Sequence, residues 1–88
     1  MDKLYVITTR EKLDAKDNSS NFLRPFDDEE SAIKFIGLVT SNYVEQILGE
    51  DATGSVEIQR IFSIDYDGNK TEYEIAFENK SLFLKEKK

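Results

Sequence analysis

Apolar residues along this chain change their spacing twice. Leu4, Tyr5, Val6 and Ile7 form a run of aromatic and branched side chains, which predicts a first strand over 3–9. Between 10 and 26 the pattern fades. Its centre (Asp17, Asn18, Ser19, Ser20 and Asn21) is polar, and Pro25 biases Arg24 away from helix. The segment therefore reads as a long loop, pinned at its ends by Leu13, Phe22 and Leu23. Loops of this length without structure are usually functional or disordered, so this one is expected to be mobile and to order against a partner.

A helical spacing follows. Ala32, Ile36, Val39, Tyr43 and Ile47 make one stripe, widened by Ile33, Phe35, Val44 and Leu48. This predicts a single helix from a cap at Asp27 to Leu48. Glu30 stands three residues after Asp27, as in a capping box, while Asp28 and Glu29 suit the positive end of the helix dipole. Gly49 is the expected terminator.

From Val56 the period becomes two. Val56, Ile58, Phe62, Ile64 and Tyr66 fall on one face of a strand together with Arg60, and Thr71, Tyr73, Ile75 and Phe77 continue that face on the next. Asp67 and Gly68 signal a two-residue hairpin turn between them, which would set Phe62 opposite Tyr73 and Ile58 opposite Phe77. Asn79 and Lys80 mark a second turn before a short strand over 81–84. The order is strand, helix and three strands. The simplest architecture is a two-layer α+β domain with the helix packed on a mostly antiparallel sheet of about four strands.

With 88 residues there is one domain, 1–88, and six Phe and four Tyr make it globular despite a charged fraction of 34%. The sequence has no Cys and no His, which excludes disulfides, thiolate nucleophiles, imidazole bases and the usual transition-metal ligands. No P-loop, dinucleotide turn or nucleophile elbow occurs. The stretch from Asp65 resembles the start of a calcium loop, but Lys70 and Ala76 occupy its sixth and twelfth positions, where Gly and Glu are needed. The acids at 27–30 are accounted for by capping. No catalytic residue, metal ligand or cofactor is expected, and the chain does not read as an enzyme.

Charge sharpens the picture. The formal net charge is −6, but residues 27–78 alone carry thirteen acids and three bases, and the last ten residues are basic. Strand alternation places Glu57, Gln59, Ile61, Ser63 and Asp65 on the outer face of the sheet, beside Glu72, Glu74, Ala76 and Glu78 from the neighbouring strand. Glu57, Asp65, Glu72, Glu74 and Glu78 then lie close together with only Lys70 as a counter-charge, and Ile61 is an apolar spot among them. These residues are the candidate protein-binding surface, suited to a partner with a basic surface such as a nucleic-acid-binding enzyme. Direct nucleic-acid or membrane binding is not expected from so acidic a body. By analogy of size and charge alone, small inhibitors made by phages and mobile elements, among them anti-CRISPR and nucleic-acid-mimic proteins, have this character. A non-enzymatic binding module covering a basic surface of a larger host enzyme is therefore the expected function. A self-associating structural or regulatory homodimer is the alternative. The apolar run at 4–7 is too short for a signal peptide or a membrane helix, so a cytoplasmic location, that of the bacterial host for a phage protein, is expected.

Overall fold

The computed structural model describes residues 3–16 and 18–87. Five strands, β1 (Lys3–Leu13), β2 (Ser20–Phe26), β3 (Gly54–Asp65), β4 (Lys70–Glu78) and β5 (Ser81–Glu86), form one antiparallel sheet in the order β2-β1-β3-β4-β5. Helix α1 (Glu29–Thr40) and the single turn α2 (Glu45–Leu48) stand between β2 and β3 in the chain. With 54% of the described residues in strands and 19% in helices, the protein is mainly an antiparallel sheet. The predicted two-layer α+β arrangement with four strands is not what forms, and two segments account for the difference.

The first is 10–26, read as a loop. Strand β1 runs on to Leu13, and the chain returns along it as β2, pairing Tyr5 with Phe26, Ile7 with Arg24, Thr9 with Phe22 and Glu11 with Ser20. Hydrophobic alternation conceals this hairpin because its inward positions include Glu11 and Arg24, which neutralise each other. Pro25 is tolerated because β2 is an edge strand, where a missing N–H costs no ladder bond. Asp17, part of the predicted mobile centre, lies outside the described residues.

The second is 41–48, read as helix. Asn42 takes a left-handed conformation at φ 61°, and its N–H donates to the Val39 carbonyl while Tyr43 N–H reaches back to Leu38. This pair of bonds is a Schellman stop, set by the weak helix formers Thr40, Ser41 and Asn42. Gly49 ends only α2. Twelve residues of α1 span about 18 Å, against about 37 Å for a strand as long as β1, so the helix covers roughly half the face and is no complete layer. Its N-cap is Asp28 rather than Asp27: the Asp28 carboxylate accepts from Ser31 N–H at 2.7 Å. That backbone bond holds its carboxyl below the usual range.

The β3–β4 register also differs from expectation. Asp65 N–H donates to Asn69 C=O at 3.1 Å, leaving a three-residue loop at 66–68 with Gly68 at φ 83°. Ile61 therefore faces Tyr73, and Phe62 faces Glu72. One residue of slip exchanges the faces: Ile61 and Ser63 turn to the helix, Phe62 and Ile64 away from it. A bulge at Gln59, where pairing jumps from Thr8–Arg60 to Thr9–Ile58, returns Ile58 and Val56 to the helix side.

The core thus joins Ile7, Ile61, Tyr73 and Leu84 from the sheet to Ala32, Phe35 and Ile36 from α1. Ile36 is fully buried. Ile36→Ala is expected to lower the stability by about 2–5 kcal/mol in a denaturant melt, as emptied aliphatic core sites do. Phe62, also predicted in this core, is buried on the opposite face. Among the described residues no helix is long and apolar enough to cross a membrane.

Candidate functional site

The six residues of the predicted binding surface are not brought together. Glu57, Glu72, Glu74 and Glu78 lie on the open face of the sheet, away from α1. Ile61 is 4% exposed beneath the helix and is no surface spot. Asp65 closes the hairpin instead, accepting the N–H groups of Asp67 and Asn69 at 2.9 Å each. The register slip is the cause in both cases.

Cations that the sequence pattern placed elsewhere also reach this face. Arg60, predicted on the core side, turns outward and hydrogen-bonds Glu72, a bond that holds the Glu72 carboxyl below its usual range. Arg10 stands opposite Glu57 and Lys85 opposite Glu74, while Glu78 faces Ser81. Lys70 lies 5.0 Å over the Phe62 ring, which Arg60 also covers at 4.8 Å. The two cations roof an aromatic ring only 5% exposed. The open face is accordingly charge-balanced.

On the helix side, Glu11 and Arg24 form a two-pronged ion pair at 2.6 and 2.7 Å. Thr9 donates a further hydrogen bond to Glu11, and the Arg24 guanidinium lies over the rings of Phe22 and Phe35. Burial pushes the Glu11 carboxyl up, but the hydrogen bonds from Arg24 and Thr9 and the Arg24 charge outweigh it and hold the group below the ordinary glutamate value. A cavity of about 240 Å³ opens beside them, walled by Phe22, Ile47 and Leu48. The Glu11–Arg24 pair is self-matched and fastens β2 to β1, while Lys12 and Lys16 also line the cavity.

Beyond the reach of α1, at the far end of β1 and β3, lies a different kind of opening. Asp14 N–H donates to Thr53 C=O at 2.9 Å, and a cleft of about 440 Å³ forms among Asp14, Asn42, Tyr43, Glu45, Gln46 and Thr53. Two carboxylates line it, and among the described residues no Lys or Arg does. The Schellman stop fixes Tyr43 at its mouth, 55% exposed. An aromatic face beside two carboxylates is chemistry for a lysine or arginine side chain. Sequence periodicity had assigned Tyr43 to a buried helical stripe; the weak helix formers at 40–42 were the overlooked signal. Among the described residues no three Asp or Glu side chains converge as a metal site would require. Comparison with protein-family models, with curated proteins and with solved structures gives no match to this chain.

Proposed function

We propose that this chain is a non-enzymatic protein-binding module whose cleft at the α1–α2 turn receives a cationic side chain from a basic segment of a partner protein. The observation that carries this reading is the cleft lining: Asp14 and Glu45 with the exposed Tyr43, and among the described residues no lysine or arginine in that lining. The net charge of −6 supports it by favouring approach of a basic surface over an acidic one. Glu50 and Asp51, exposed on the loop that leads into the lining, extend the negative field. Enzymes that grip nucleic acid present such basic surfaces, and an inhibitor occupying one belongs to the same reading. A cysteine-free chain suits a reducing compartment, and the reading places it in the cytoplasm.

A short lysine- and arginine-bearing peptide, titrated into the labelled protein and followed by NMR, tests this. Shifts are expected at Asp14, Tyr43 and Glu45, fading as salt rises and lost in the Asp14→Asn, Glu45→Gln double variant. Shifts spread evenly over every exposed acid, or unchanged in the double variant, would remove the cleft from consideration.

A further inference from the structure

We propose that strand β2 is a self-pairing edge: two copies of this chain join antiparallel through β2 into one continuous sheet. This inference does not depend on the cleft, which lies elsewhere on the molecule. It begins from a difference between the two edges of the sheet. β5 carries Lys85 and Glu86, with Lys80 and Lys87 flanking it, and charged edges of this kind resist pairing. β2 carries one charge, Arg24, already bound to Glu11. On opposite faces of that same strand, Phe22 is 46% and Leu23 64% exposed. An edge with exposed apolar groups and no free charge is the one left open to another strand.

Which backbone groups β2 presents follows from the hydrogen-bond parity across the sheet. Asp65 N–H points to β4, at Asn69, so Ile64 and Phe62 turn their backbone to β1. Val6, opposite Phe62, then turns to β3, and Pro25, opposite Val6, turns outward. Lys87 N–H bonding Glu72 C=O obeys the same alternation on the far side. The free edge therefore offers the N–H and C=O of Asn21 and of Leu23, and the C=O of Pro25. Proline withholds one donor and so selects the register.

A two-fold axis at Leu23 uses these groups best. Leu23 then exchanges both of its hydrogen bonds with Leu23 of the second copy, and Asn21 N–H donates to Pro25 C=O in each direction. On the helix side the same register sets Phe22 of one copy opposite Arg24 of the other. These groups already attract within one chain, where the guanidinium lies 5.6 Å from the Phe22 ring. The edge is thus complementary to itself, as an isologous contact requires. On the open face the two Leu23 side chains would meet at the axis, and Pro25 of each copy would lie opposite Asn21 of the other, beside its own Val6.

Sedimentation equilibrium of the full chain, with amide exchange on the same samples, tests this. The wild type is expected to be dimeric at high concentration, with Leu23 and Asn21 N–H protection rising as the dimer fills. Leu23→Lys places two like charges at the axis without touching the core and should give a monomer that melts at the temperature of the dilute, monomeric wild type. Ser81→Lys on the other edge should leave the dimer intact. A wild type that stays monomeric, with a Leu23 N–H that exchanges freely at every concentration, would overturn a second copy as the occupant and leave the edge to a strand from another protein. A dimer that survives Leu23→Lys, or that Ser81→Lys abolishes, would overturn it as well.

Discussion

Replacing Arg24 with alanine is expected to destabilise the fold by about 3 kcal/mol at neutral pH, because it strands a buried carboxylate. The Glu11 side chain is 3% exposed, so solvent cannot replace the guanidinium. The pH dependence identifies the cause. In the wild type the Glu11 carboxyl lies below its ordinary value, so the native state binds fewer protons than the unfolded one. The pair's contribution is complete above the unfolded glutamate pKa of about 4.3 and is lost as pH falls through the lower folded value. Without Arg24, burial outweighs the remaining Thr9 hydrogen bond on Glu11 and raises its pKa, which reverses the sign. The variant should then gain stability on acidification through this group while the wild type loses it. Denaturant melts at pH 7 and near pH 3.5 should show the gap between the two closing. An equal gap at both values would mean that Arg24 matters only for its packing on Phe22 and Phe35. Replacing Glu11 and Arg24 together by leucine should cost less than losing Arg24 alone, since no buried charge is left unpaired.

The same pair shows why only part of this fold was legible in the sequence. Binary patterning finds a strand when its inward side is apolar. At β2 the inward positions are Ser20, Phe22, Arg24 and Phe26, and their partners on β1 include Thr9 and Glu11. Charge pairing across strands does not appear in a one-dimensional pattern, so the segment read as a loop. The α1 stripe was legible through Ala32, Ile36 and Val39. It was extended too far because Tyr43, Val44 and Ile47 keep helical spacing after the helix has stopped. Ile47 still packs against the core from α2, so burial continues where the helix does not. In β3 the alternation at Val56 and Ile58 gave the correct face, and the bulge at Gln59 then reversed it. A bulge and a three-residue turn each shift register by one residue, and Phe62 and Ile61 are both apolar enough to fill either side. The binding surface drawn from that alternation was displaced for the same reason. The cleft depends on Tyr43, whose exposure follows from the backbone at Asn42 and not from any property of tyrosine.

Two glycine-to-alanine substitutions should have opposite signs, and the larger of the two bears on the cleft. Gly37, inside α1, has nothing within 4 Å of the position a Cβ would take. It is not a point of close approach, and Gly37→Ala should stabilise the protein by about 0.5–1 kcal/mol through helix propensity and a less flexible unfolded chain. At Gly54 the same atom would lie 2.0 Å from the carbonyl oxygen of Lys12, 3.0 Å from its carbonyl carbon and 3.1 Å from the Leu13 Cα. All three are backbone atoms of β1, just past the end of its pairing with β2 at Glu11–Ser20, so the backbone itself must move and no flexible side chain can yield. The β1 and β3 backbones must separate at the Leu13–Gly54 pair, and Gly54→Ala should cost about 3 kcal/mol. Asp14 follows Leu13 directly and donates to Thr53, so the opening is transmitted to the cleft wall. Denaturant melts of both variants supply the stability test, and the chemical shifts of Asp14 and Thr53 report the local displacement. A Gly54→Ala protein as stable as wild type would mean that β1 and β3 lie farther apart there than the structure places them. If Gly54→Ala destabilises but the Asp14 and Thr53 shifts do not move, the strain is taken up within the strands. The cleft wall would then be independent of the ladder beneath it.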